Sequence, residues 1–284
     1  MVDRVLLSEL LAPPVSHSPA PSTPSSVPSG TPPARVPTSL TSTPRASSGT
    51  GVVTEVSASN KNMKGGPGSA SFALDREGKE KAMAVLREKI LACVQCPHLV
   101  ASRKNVVFGV GSIHSPLMFV GEAPGADEDV QGEPFVGAAG QLLTKMISAM
   151  GLTRQDVFIA NVLKCRPDTP GQTSGNRKPR PEEMRTCLPH LREQIRLIQP
   201  RVIVALGATA VEGLFGRASV QITKLRGQWT QLEGVDVMPT YHPSYVLRTQ
   251  SLPIKREVWE DLLQVMQRLE MPISAKQAAY FTKA

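Results

Sequence analysis

PLMFVGEAPGADEDVQGEPFVGAAG, residues 116–140, decides how the chain is read. It opens as an apolar run, Leu117–Val120, breaks into a loop at Gly121, and regains helical spacing from Gly137. A strand running into a glycine-rich loop and then a helix usually cradles a phosphate, because free backbone amides gather there. This loop carries Glu122, Asp127, Glu128, Asp129 and Glu133 instead. An acidic loop repels phosphate, so another chemistry has to be sought for it.

The same alternation repeats on either side. Short apolar or β-branched runs fall at Leu117–Val120, Val157–Val162, Val202–Leu206 and Val235–Pro239. Helical patterns occupy 74–92, Gly137–Met150, Glu182–Ile198, Ala208–Phe215 and Ile254–Leu269. Strands alternating with helices predict an α/β fold, a parallel sheet covered on both faces. Ligands of such sheets bind beyond the carboxyl ends of the strands. Three polar clusters fall at those ends: Gly121–Glu133, Asn161–Arg166 and His242–Arg248. Their meeting on one edge is the main functional expectation.

Composition bounds the rest. The 284 residues carry a net charge of +8, which suits a polyanionic partner but does not demand one. Residues 12–70 are rich in Pro, Ser, Thr and Gly and nearly free of aromatics, a composition that cannot offset its own ordering entropy. The chain therefore divides into a disordered tail over 1–70, with no partner that the sequence identifies, and a folded domain over 71–284. Apolar residues among the first eleven read as a frayed terminus. Asp3, Arg4 and Glu9 among the leucines make a poor secretory signal, and no apolar run approaches the roughly 20 residues of a bilayer span. A cytoplasmic protein without membrane attachment is expected.

In a reducing compartment the four cysteines are metal ligands or buried thiols rather than disulfides. Cys93 and Cys96 form a Cys-x₂-Cys pair at the end of the first helix, Cys165 follows the second strand, and Cys187 lies in the next helix. Four thiolates suit a tetrahedral zinc or a [4Fe–4S] cluster, and spacing alone does not separate them. A redox Cys-x₂-Cys is expected at a helix start after a strand, which is not its place here.

Three blocks, with the spaced cysteines, resemble the family 4 uracil-DNA glycosylases of the wider uracil-DNA glycosylase superfamily. They are Gly121-Glu-Ala-Pro-Gly125 running on to Glu133-Pro-Phe-Val-Gly137, Asn161-Val-Leu-Lys-Cys-Arg-Pro167, and His242-Pro-Ser-Tyr-Val-Leu-Arg248. The match covers roughly residues 75–270. It implies a three-layer α/β/α sandwich around a central parallel sheet. It also implies a structural [4Fe–4S] cluster held by Cys93, Cys96, Cys165 and Cys187. The stretch between Cys165 and Cys187 is longer than the family's usual spacing, and Asp168–Ser174 has the composition of a surface insertion.

The resemblance also implies roles. The enzyme extrudes a deoxyuridine from the stack, hydrolyses its N-glycosidic bond and leaves an abasic site. His242 donates to uracil O2, where negative charge develops. Asn161 reads the polar edge of the base, Phe135 stacks on it, and the Ala123 N–H is a further donor. Glu122 holds the attacking water, so the acids serve a sugar cation rather than a phosphate. Glu128 lines the pocket and is set against the 5-methyl of thymine. Asp127, Asp129 and Glu133 are read as solvated charges or helix N-terminal partners. Tyr245, Leu247 and Arg248 enter the duplex as the base leaves. Apart from the resemblance, Arg177, Lys178 and Arg180 form a basic run between the cysteines that is either a second backbone contact or a solvated loop. The substrate is uracil-containing DNA, single- or double-stranded, and the enzyme is a monomer. No lysine is placed as a Schiff-base nucleophile, so a monofunctional glycosylase is expected. A binding module without turnover is the first rival, and intact Glu122, Asn161 and His242 argue against it. A zinc deaminase needs a His-x-Glu, which the sequence lacks.

Overall fold

The structure is a computed structural model describing residues 75–168 and 176–282. The tail expected over 1–70 and most of the inserted segment lie outside the described residues.

In chain order the elements are α1 (Arg76–Leu91), α2 (Pro97–Val100), β1 (Val110–Gly111), β2 (Leu117–Gly121), α3 (Ala126–Gln131), α4 (Ala138–Ala149), β3 (Phe158–Asn161), α5 (Pro181–Ile198), β4 (Val202–Leu206), α6 (Ala208–Phe215), α7 (Ile222–Leu225), β5 (Thr230–Leu232), β6 (Val235–Thr240), α8 (Pro243–Thr249), α9 (Leu252–Arg268) and α10 (Ala275–Ala278). The sheet order is β1-β3-β2-β4-β6-β5. Its four central strands run parallel, as expected. Both edges are antiparallel, β1 on β3 and β5 on β6. Sequence pattern misses these edges because two- and three-residue strands carry too little periodicity.

Alternation along the strands divides the core. Met118 and Val120, Phe158 and Ala160, and Ile203 and Ala205 face α1, α5 and α6. Leu117 and Phe119, Ile159, and Val202, Val204 and Leu206 face α4, α8 and α9. Both faces are covered, which is why β2 and β4 are buried at every position and read as continuous apolar runs rather than alternating ones. Each of the larger of these side chains, alanines apart, contributes about 1.5–3 kcal/mol of burial. The result is the three-layer α/β/α sandwich that the sequence implied. Among the described residues, no helix is long and apolar enough to cross a membrane.

Topology fixes where a ligand can sit. After β2 the chain crosses to β3, whereas after β4 it departs toward β6 on the other side. The crevice between the carboxyl ends of β2 and β4 is the switch point at which such sheets bind ligands.

Candidate active site

A cavity of about 450 Å³ opens at that crevice. Glu122, Ala123, Glu128, Phe135, Asn161, His242 and Arg248 all line it, so the three sequence blocks meet as expected. Asn176, Gly207, Ala208 and Ser244 line it as well, none of them anticipated.

Asn161 closes β3 opposite Gly121 of β2. It is 2% exposed, and among the described residues its buried Oδ1 has no hydrogen-bond partner. A buried amide oxygen left unpaired costs about 1–3 kcal/mol, so it points to an absent donor. Gly121 permits the geometry: a Cβ there would lie 2.4 Å from Asn161 Oδ1 and 2.5 Å from Phe135 Cζ. The Phe135 ring is buried, with its centroid 5.7 Å from that of His242.

His242 is the N-cap of α8, with Pro243 fixing the first turn. Its Nδ1 accepts the Ser244 N–H at 3.2 Å and lies 2.7 Å from Ser244 Oγ. A ring nitrogen that accepts carries no proton, so the neutral imidazole holds its proton on Nε2. Burial, reinforced by nearby Arg248, pushes His242 down to about 4, so it is neutral at pH 7. Gly207 adopts φ +90°, and a Cβ there would come within 2.9 Å of His242 Cβ. The glycine thus lets β4 and β6 deliver their ends to one point.

The acidic loop divides by function. Burial raises the Glu122 carboxyl above its ordinary range, opposed by a Thr209 hydrogen bond and by Lys178. Glu128 accepts three backbone amides, from Gly125 at 3.0 Å, Val136 at 2.9 Å and Gly137 at 3.0 Å. Its carboxylate therefore ties the two halves of the loop together while the residue also lines the cavity. Asp129, read as solvated or as a helix partner, is 2% exposed in the first turn of α3. It accepts the Lys104 N–H at 2.9 Å, which fixes the neighbouring loop.

The rim carries the remaining candidate DNA contacts. Tyr245 packs on Tyr241, with centroids 5.1 Å apart, and neither it nor Leu247 lines the cavity. Leu247 is exposed, beside Arg248 on α8. Arg177 is bound to buried Glu183 at 2.5 and 2.9 Å, and Lys178 to Glu212 at 2.6 Å. Both were candidate phosphate contacts, and both are engaged within the protein. Asn176, from the same segment, donates to Pro124 O at 2.6 Å and so reaches the cavity wall. Nothing in local sequence marks it, because its partner lies far off in the chain.

The four cysteines line a second cavity, with Leu99, Leu163 and Arg103. Arg103 donates to Cys165 Sγ at 3.0 Å and to Cys93 O at 2.7 Å, and the Lys164 N–H donates to Cys187 Sγ at 3.3 Å. Donors aimed at sulfur suit thiolates. Burial pushes the Cys187 thiol up to about 12 and also raises those of Cys96 and Cys165. Among the described residues no group of three or more His, Cys, Asp or Glu stands in position to hold a metal ion.

Residues 108–263 match the model of the uracil DNA glycosylase superfamily. The type-4 uracil-DNA glycosylase of Thermotoga maritima is 46% identical over 187 residues, covering 65% of this chain and 93% of that protein. The type-4 enzyme of Pyrobaculum aerophilum is 48% identical over 174 residues, covering 59% and 85% respectively. The type-5 uracil-DNA glycosylase of Pyrobaculum aerophilum is 28% identical over 187 residues, covering 55% of this chain and 80% of that protein.

Proposed function

The chain belongs to the uracil DNA glycosylase superfamily, with the type-4 enzymes, and from that premise we propose how its cavity performs the reaction. The protein is a uracil-DNA glycosylase, a hydrolase that cleaves the N-glycosidic bond of deoxyuridine in DNA and leaves an abasic site. The orphaned Asn161 Oδ1 carries the assignment of the cavity to the base. It accepts from uracil N3–H while the amide NH₂ donates to O4. Phe135 stacks on the ring, and the His242 Nε2–H donates to O2.

As the bond breaks, its electron pair leaves on uracil and positive charge develops on the deoxyribose. A neutral donor at O2 stabilises the uracil anion in a dry site, where such a bond is worth more than in water. Glu122, ionised, faces the sugar cation and orients the water whose oxygen bonds to the anomeric carbon. The proton that water loses balances the charge left on uracil. Leu247 is the exposed wedge for the vacated stack, with Tyr245 on the same helix, and Arg248 holds the backbone at the cavity mouth.

Purified protein incubated with an oligonucleotide holding one uracil should create one alkali-labile site at that base. Without alkali the strand stays intact, because no Schiff-base lysine is used. Absence of the alkali-labile site, with the protein folded, would favour a binding module.

The cysteine cavity fits a [4Fe–4S] cluster. It brings together four thiols with hydrogen-bond donors facing two of them, and a cubane does not ask its ligands to converge on one ion. Cys93, Cys96, Cys165 and Cys187 would hold it, and it would supply the cross-link joining the end of α1 to α5. His98 and Arg177 both bind Glu183 of α5, which ties α2 and the inter-cysteine segment to the same helix. Anaerobically purified protein should be brown, with about four irons per chain. Cys187→Ser should lose the colour and several degrees of melting temperature, because cluster binding is coupled to folding. A colourless, zinc-loaded wild type would overturn the assignment.

A further inference from the structure

The aromatic wall of the cavity stands on a strained backbone. Phe135 has φ 55°, in the left-handed region that bulky side chains avoid. Such a conformation persists only where its surroundings over-determine it. Two residues outside the sequence blocks do so. Gly140 of α4 would place a Cβ 1.8 Å from Phe135 O, so the helix rests directly on that peptide. Arg154, in the turn before β3, meets it from the other direction. Its Nη2 donates to Pro134 O at 2.7 Å and its Nη1 to Phe135 O at 3.1 Å. Nη1 also lies 3.3 Å from Thr144 Oγ1 on α4.

We infer that Arg154 is a positioning residue: its guanidinium grips two successive carbonyls, fixes Phe135 in the left-handed conformation and so holds the ring against the base. A planar fork matches two neighbouring oxygens, which a lysine ammonium reaches only singly. The grip is partly buried, so water is a poor substitute for it. Released from it, the 134–136 peptides relax toward ordinary backbone angles. The ring then leaves the gap above Gly121 that the missing Cβ keeps open. Arg154 is not among the residues that line the cavity.

The inference rests on the reading of Phe135 as the stacking residue, and a double-mutant cycle separates the two. Inhibition by free uracil and the kcat and KM on a uracil oligonucleotide are measured for wild type, Arg154→Met, Phe135→Ala and the double variant. Arg154→Met should weaken uracil inhibition by roughly tenfold, the scale of one stacking contact. KM should rise more than kcat falls, and Arg154→Lys should fall between. In the Phe135→Ala background, the Arg154 substitution should have almost no further effect on uracil affinity. Additive losses would overturn the inference, as would unchanged uracil affinity in Arg154→Met. If Arg154→Met does not fold, Arg154→Lys carries the same cycle. Failure of both to fold beside a folded Phe135→Ala shows a role in stability alone and also overturns it. Unchanged affinity in Phe135→Ala would sink the stacking reading instead. The inference would then be decided by the crystal structure of Arg154→Met or Arg154→Lys: Phe135 at negative φ supports it, Phe135 still left-handed refutes it.

Discussion

Replacing His242 by alanine should lower the single-turnover rate on a uracil oligonucleotide by roughly 10²–10³-fold, the usual cost of one oxyanion donor. KM should move little, because the bond to O2 strengthens only as charge arrives there. The cap geometry makes the donor neutral: Nδ1 is committed to the Ser244 N–H, so Nε2 alone presents a proton. Burial enforces this by pushing the imidazole down to about 4. A cationic histidine would show activity falling as pH rises through 6.5. The present geometry predicts no such limb. Activity should instead fall only toward acid, where Glu122, raised by its own burial, loses the charge that faces the sugar.

Stability carries the same signature. The unfolded imidazole takes up a proton at its ordinary pKa of 6.5, whereas the folded one refuses it down to about 4. The His242 contribution is complete above 6.5 and drains away as pH falls between those values. His242→Ala should therefore flatten the acid side of the denaturation profile while abolishing most activity. A variant with an unaltered rate would remove histidine from the leaving-group role.

These two residues show what the sequence made legible. Strand ends are marked by apolar runs giving way near Gly121, Asn161 and His242, and a parallel sheet places all three on one edge. The four long central elements of the sheet were readable because their burial is nearly uniform. Side-chain partners were not. The acids of the loop look alike in sequence, yet Glu128 ties amides, Asp129 fixes a neighbouring loop and Glu122 faces the cavity. Which carboxylate meets which amide depends on distances between segments that no local pattern encodes. Lys164 is a sharper case: it is 1% exposed, its Nζ bonds Gln194 at 2.6 Å, and burial lowers it to about 8. A lysine beside a cysteine reads as a surface charge until the helix that covers it is in place.

Asn161→Asp should change the base preference of the enzyme rather than simply weaken it. The asparagine offers an acceptor to N3–H and a donor to O4, the complement of uracil. Cytosine presents an unprotonated N3 and a 4-amino group, so against Asn161 both contacts fail. Each buried mismatch costs roughly 1–3 kcal/mol, and the pair supplies roughly 10²–10⁴-fold of discrimination. Among the described residues Oδ1 has no hydrogen-bond partner, and the missing Cβ of Gly121 is what gives it room. An aspartate keeps the acceptor and loses the donor. When protonated, it offers an O–H to cytosine N3 and an acceptor to the amino group. Activity on uracil should therefore drop by roughly 10²-fold or more, while the ratio of uracil to cytosine excision contracts further. Matched single-base oligonucleotides, one with uracil and one with cytosine, measure both quantities in one assay. A folded Asn161→Asp that retains the wild-type ratio would mean that the base is read elsewhere in the cavity, and the orphaned oxygen would need another explanation.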